Sequence, residues 1–132
     1  SGPTRRRGAP LEPVEINAGA WYLRGLRADD RISDAPALRE LGIPEPEDYV
    51  RQSDSAWTDE KSFTWAICEP TTGELVALIG VTATDGTAQL WDSARSGFDD
   101  AVVTARGPVC RFAVGALGLP MPTLLGGSSA PE

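Results

Sequence analysis

The segment from Gln89 to Leu119, QLWDSARSGFDDAVVTARGPVCRFAVGALGL, constrains the fold of this chain more than any other. It reads as a short strand, a loop and a long amphipathic helix. Phe98, Val102, Ala105, Val109, Phe112 and Ala116 recur at three- and four-residue steps, which makes one continuous apolar stripe. Gly107-Pro108 interrupts the run, and an interior proline costs a helix about 3 kcal/mol because it removes a backbone bond and clashes with the preceding turn. The stripe keeps its phase across the break. The segment is therefore expected as one kinked helix or as two short ones, the second starting at Pro108. Gly118 and Pro120 end it.

Upstream, Thr87 to Trp91 is a strand preceded by Asp85-Gly86, a strong hairpin signal because glycine supplies the positive φ of a tight turn. Leu75 to Val81 is apolar on both faces, as in a central strand covered on both sides. Phe63, Trp65 and Ile67 alternate with Thr64, Ala66 and Cys68 in a third strand, with a turn at Pro70-Thr71-Thr72-Gly73. Nearer the start, Trp21 to Leu26 reads as a first strand, followed by a turn at Asp29-Asp30. Ser33 or Asp34 caps a short helix through Leu41, with Gly42 as a left-handed C-cap. A second helix starts near Pro46, where Glu45, Glu47 and Asp48 suit the helix dipole. Tyr49, Ser53 and Trp57 share one of its faces. The order β-α-α-β-β-β-α defines an α+β fold. Residues 1–15 and 120–132 are rich in Gly, Pro, Ser or Arg and are expected as disordered tails around a folded body at 16–119. Ser1-Gly2-Pro3 reads as a scar of tag cleavage.

Charge excludes several functions. The net charge of the 132 residues is −7, and Arg5, Arg6 and Arg7 lie in the N-terminal tail. The remaining 9 basic residues face 19 acidic ones, a body charge of −10. Such a body repels phosphate, which argues against nucleic-acid binding. No apolar run is long enough to cross a membrane, and no apolar export signal opens the chain. The absence of histidine removes Ser-His-Asp and Cys-His nucleophile systems and imidazole metal ligands. Cys68 and Cys110 read as buried free thiols, which points to a reducing, cytoplasmic setting. The acidic pairs and triplets at Asp29-Asp30, Glu45/Glu47/Asp48 and Asp59-Glu60 lack calcium-loop spacing and read as surface charge, so no metal is expected. Trp21, Trp57, Trp65 and Trp91 read as core, with an aromatic ligand cage as the alternative.

Taken in order, these pieces resemble the first two-thirds of the GCN5-related N-acetyltransferase (GNAT) fold. WYLRGLRADD is similar to the first strand and turn of the branch that includes ribosomal-protein N-acetyltransferases. FTWAICEPTTGELVALIGV resembles its paired strands, and Gln89 to Leu119 its strand, cofactor loop and helix ending in Leu-Gly-Leu. The resemblance implies a GNAT-like mixed or antiparallel sheet lacking the C-terminal strands. It also implies acetyl-CoA as cofactor, with Leu90, Trp91, Arg95, Ser96 and Gly97 as the residues in place to hold it.

Two departures bear on function. The family loop has the form Q/R-x-x-G-x-G/A, and its glycines let backbone amides approach the pyrophosphate. Counting back from Leu117-Gly118-Leu119, those positions fall on Gly97, Phe98, Asp99, Asp100 and Ala101. The two aspartates suit the helix dipole and repel a pyrophosphate; Phe98 is bulky where glycine is needed. The second departure is the absent C-terminal portion, which in the family supplies an Asn to the cofactor and a Tyr near the thiolate. No tyrosine follows Tyr49. Candidate bases are Glu69, Glu74 and Asp92, each also readable as a turn or strand-end carboxylate. The Thr87–Trp91 strand is left as an open edge. The remedies are a homodimer or partner protein covering that edge and the last helix, which is the favoured expectation, or a tail folded back near Leu124-Leu125. The functional expectation is a degenerate, non-catalytic GNAT-like domain used for protein–protein or small-ligand binding. One alternative is an active acetyl-CoA-dependent N-acetyltransferase completed by dimerisation or a further C-terminal segment. Another is a small α+β domain of different origin, with a ligand pocket between sheet and helix.

Overall fold

The computed structural model describes residues 13–29, 31 and 33–124. Asp30, Leu125 and the expected tail residues 1–12 and 125–132 lie outside the described residues. The elements run β1 (Ile16–Ala18), β2 (Trp21–Arg24), α1 (Ala35–Glu40), α2 (Pro46–Asp59), β3 (Ser62–Cys68), β4 (Leu75–Thr84), β5 (Thr87–Ala94), α3 (Asp99–Gly115) and β6 (Thr123–Leu124). The strands form one sheet in sequence order, antiparallel throughout except for the parallel pair β5–β6. The α+β class and the expected core order are met, with a short strand added at each end.

Local chemistry explains the turns. Asp85 and Gly86 both have positive φ (50° and 80°), the two-residue turn whose twist matches its flanking strands. A similar two-residue connection through Gly19 (φ 61°) joins β1 to β2. β4 carries a bulge: Ile67 faces Ala77 but Cys68 faces Leu75, so Val76 is the extra residue. Val76 and Ala77 then both join the cluster beneath α3. The Val76 carbonyl accepts from the Arg95 amide at 3.0 Å, which extends the β4–β5 ladder into the loop before α3.

The sheet has a core on each face. One gathers Leu23, Phe63, Trp65, Ile67, Ile79 and Leu90 with α3. The other gathers Leu26, Leu38, Val50, Leu78 and Trp91 with α1 and α2. Trp57 comes from α2 yet joins the first core. It meets Phe63 and Trp65 edge-on at 5.0 and 5.1 Å and donates Nε1–H to the Thr64 carbonyl at 3.2 Å. Trp65 in turn stands edge-on to Phe112 at 5.7 Å. Trp91 lies flat against Gly80, where no side chain fits: a Cβ there would stand 2.4 Å from the indole.

Several expectations need correction. The first strand ends at Arg24 rather than Leu26, and β1 was not anticipated. Asp34 occupies the N-cap of α1 without a side-chain cap bond. Its carboxylate instead receives both Arg24 amino groups, at 2.8 and 2.9 Å, and the Arg27 amide at 2.8 Å. Ser33 Oγ accepts from the Ala35 amide at 3.3 Å. The last helix is one element through Pro108. Its buried line is Ala101, Val102, Ala105, Val109 and Ala113, small residues that bring it close to the sheet, while Ala116 lies past its end and is exposed. Cys110 is half-buried rather than buried. The C-terminal tail was expected to begin at Pro120, but Thr123–Leu124 pairs with Gln89 and Leu90.

Two substitutions test this packing by urea unfolding followed through tryptophan fluorescence. Asp34→Ala strands a buried guanidinium and lowers stability by about 3–5 kcal/mol. Gly80→Ala drives a methyl group into Trp91 and costs about 1–3 kcal/mol. A loss under about 0.5 kcal/mol in either variant would contradict the corresponding contact.

Candidate functional site

The residues singled out from sequence lie along the end of β5 and the loop into α3. Leu90 is buried on the α3 face and Trp91 on the opposite face, as strand alternation requires. They contribute to two cores and do not form one binding surface. Trp91 Nε1 is the only buried side-chain donor or acceptor among the described residues with no hydrogen-bond partner. Ser96 and Gly97 are exposed, and Gly97 has φ 89° with nothing within 4 Å of a notional Cβ, so the loop backbone is open at that point. Phe98 turns away from solvent and packs edge-on to Trp21 at 6.2 Å. Trp57, Trp65 and Trp91 are fully buried, so the four tryptophans do not converge as a cage.

Arg95 is the one basic residue between Leu90 and Thr104, and its side chain is turned back onto the sheet end. Nη1 donates to Glu74 Oε2 at 2.6 Å and to the Leu75 carbonyl at 3.1 Å. Nη2 and Nε donate to Glu40 Oε1 at 2.8 and 3.1 Å. The guanidinium is only 19% exposed, against 60% and 58% for the two carboxylates. The hydrogen bond to Glu74, reinforced by Glu40, raises its pKa further. Asp99 and Asp100 occupy the first turn of α3, exposed, and Phe98 at the N-cap makes no side-chain cap bond. The only cation of the loop is thus matched by two carboxylates, and two more carboxylates open the helix. A pyrophosphate at this helix start would meet like charges costing on the order of 1 kcal/mol each. The residues present do not fit that group.

Two of the three candidate bases, Glu69 and Glu74, face each other across the β3–β4 turn, the Glu69 amide donating to the Glu74 carbonyl at 3.1 Å. Asp92 is buried on the α3 face and accepts from Arg106 Nε at 2.9 Å. Glu74 is held by Arg95. Glu69 closes the β3–β4 turn through its backbone, accepting from the Gly73 amide at 2.7 Å. Sequence reasoning missed both Arg106 and Glu40. The signal for Arg106 was present, since it is next to the stripe residue Ala105; Glu40 becomes relevant only through the tertiary fold.

The edge of β5 is divided. β6 pairs with Gln89 and Leu90. Antiparallel ladders alternate, and Arg95 bonds inward to β4, so Trp91 and Ser93 bond inward too. The backbone N–H and C=O groups of Asp92 and Ala94 therefore point outward, and among the described residues no strand pairs with them. The expected open edge at Thr87–Trp91 is in fact partly covered, at Gln89 and Leu90.

No protein-family model matches the chain, and no curated protein matches it. Solved structures do. A protein assigned as a ribosomal-protein-serine acetyltransferase from Vibrio cholerae superposes with a TM-score of 0.68 at 16% identity, covering 83% of this chain and 71% of that one. An acetyltransferase from Agrobacterium tumefaciens str. C58 gives 0.64 at 18% identity, covering 88% and 75%. A GCN5-related N-acetyltransferase from Brucella melitensis gives 0.57 at 10% identity, covering 86% and 62%. The chain has the GNAT fold.

Two weak acids on the α1–α2 side, Cys68 buried and Tyr49 half-buried, set a pH limit. Burial pushes the Cys68 thiol from 9.0 up to about 11, with nearby Arg24 opposing, and the Tyr49 phenol from 10.0 up to about 12. Above pH 9 the unfolded chain loses protons that the folded chain keeps, so stability falls as pH rises from 9 towards 12. Urea unfolding at about pH 10.5 should show a loss on the order of 2–3 kcal/mol relative to about pH 8, smaller in Cys68→Ala. A flat profile would contradict the burial of both groups.

Proposed function

We propose that this chain is a non-catalytic GNAT-fold binding domain, in which the place of the cofactor loop is kept and its anion-binding chemistry is gone. The observation that carries the reading is the commitment of Arg95 to Glu40 and Glu74 beside an α3 opened by Asp99 and Asp100. A GNAT loop offers backbone amides and positive potential to a pyrophosphate. Here Gly97 leaves the backbone accessible, but the potential around it is negative. The acid–base side has the same deficit. Asp92 is held by Arg106 and Glu74 by Arg95, so neither is positioned to take a proton from an amine.

The alternative, an active acetyl-CoA-dependent N-acetyltransferase, has one observation in its favour. The open, positive-φ Gly97 keeps the close approach that a bound pyrophosphate needs. The three solved acetyltransferases belong to that functional class by their descriptions.

Calorimetric titration of acetyl-CoA, with CoA as control, separates the two. The binding-domain reading expects no saturable heat up to about millimolar ligand. A dissociation constant near micromolar, about −8 kcal/mol, would overturn it. In that case Arg95→Glu should abolish binding.

A further inference from the structure

We propose that the outer crest of α3 is a self-association face, on which a second copy of this chain packs its own α3 antiparallel about a two-fold axis. The proposal rests on the exposed side of the helix and stands whether or not the loop holds a cofactor.

The crest is defined by spacing and exposure together. Asp100, Val103, Gly107, Arg111 and Val114 follow one another at three- and four-residue steps, so they share one face, opposite the buried line through Ala105 and Val109. Val103 is 59% and Val114 41% exposed, which leaves apolar surface in water along this face. Gly107 makes a notch between them, and Arg111 folds back over it: a Cβ at Gly107 would stand 3.3 Å from Arg111 Nη1. Charge is uneven along the crest. Asp100 lies at its N-terminal end and Arg111 in its C-terminal half; both are exposed, and neither forms an ion pair among the described residues.

This pattern is complementary to its own reverse, which selects the occupant. A two-fold axis crossing α3 at the level of Ala105 sets Val103 beside the notch at Gly107 of the second copy and Asp100 beside its Arg111, each to within about 1.5 Å, one residue rise. At about 100° per residue, Val103, Cys110 and Val114 lie towards one side of the crest and Asp100 and Arg111 towards the other. The axis keeps those sides matched. Apolar groups therefore meet along one side of the seam, and opposite charges meet along the other. The seam is only one helix long, below the roughly 800 Å² per partner of a standard interface, and the net charge of −7 opposes approach. Weak association follows, with a dissociation constant on the order of 100 µM.

Sedimentation equilibrium of the full chain, from about 10 µM to about 1 mM, should show monomers passing into dimers. Asp100→Arg puts like charges across the seam, and so does Arg111→Asp; each variant alone should associate at least about tenfold more weakly. Mixed in equal amounts, the two variants should form a heterodimer as strong as the wild-type dimer, because both charge pairs are then opposite. Val103→Asp should abolish association. Urea unfolding of each variant checks that these exposed substitutions leave the fold intact.

A chain that stays monomeric to about 1 mM would overturn the proposal. So would a dimer indifferent to the three substitutions, which would pair through another surface, or a mixture that associates no better than its components. A monomer whose Val103 methyl groups show nuclear Overhauser contacts to residues 1–12 or 125–132 would assign the crest to the chain's own terminal segment instead.

Discussion

Arg24 and Asp34 form a buried, two-pronged ion pair on which the site end of the molecule depends. Burial is the largest single influence and pulls the Arg24 pKa down, but the Asp34 hydrogen bonds and the charges of Cys68, Asp34 and Tyr22 together outweigh it and the net shift is upward. The pair joins the end of β2 to the start of α1, and Arg24 also donates to the Gly73 carbonyl in the β3–β4 turn. The two carboxylates that hold Arg95 belong to those same pieces. Glu40 ends the helix that Asp34 begins, and Glu74 follows Gly73. A pair that secures the fold thereby places the charges that occupy the loop cation. Removing either member of such a pair is costly because the other is left buried and unpaired.

The bulge at Val76 adds a second constraint. It lies in the β3–β4 pair, while the β4–β5 register runs on unbroken, so the Arg95 amide bonds to the Val76 carbonyl and the strand character of β5 persists up to the loop. Arg95 then leaves the sheet at its end, within reach of Glu40 and Glu74 and the Leu75 carbonyl. Phe98 folds onto Trp21, and α3 begins immediately afterwards with two aspartates. Loop shape and loop charge thus have separate origins. Shape follows from the β4–β5 ladder running on to Arg95 and from Gly97, and is compatible with the GNAT fold. Charge follows from Glu40, Glu74, Asp99 and Asp100, and opposes the ligand that the fold is built around.

Much of the fold was legible in the residues, for identifiable reasons. Asp85-Gly86, the doubly apolar run at Leu75–Val81 and Pro46 at a helix start are local signals with a local cause, and each appears where expected. The α3 stripe kept its phase through Pro108 because burial of small residues along β4 outweighs one missing backbone bond. What was not legible depends on tertiary contact. Asp34 has the residue type of a helix cap, yet a guanidinium ten residues earlier claims its carboxylate. β1 and β6 are too short to show a period, and only pairing defines them. At the site, Arg95 and Gly97 were visible from their place in the loop. The partners of Arg95 were not, because Glu40 and Glu74 are distant in sequence and meet it only across the sheet end.

The account therefore turns on whether the α3 start has lost its affinity for pyrophosphate. The most direct measurement is the amide NMR spectrum of Gly97 through Val102 during addition of acetyl-CoA to the wild-type chain. Unchanged resonances up to about millimolar cofactor are predicted, since the charge surrounding the exposed Gly97, Asp99 and Asp100 is repulsive. Saturable shifts confined to these amides, with a midpoint near micromolar, would contradict it and mark the loop as a working cofactor site.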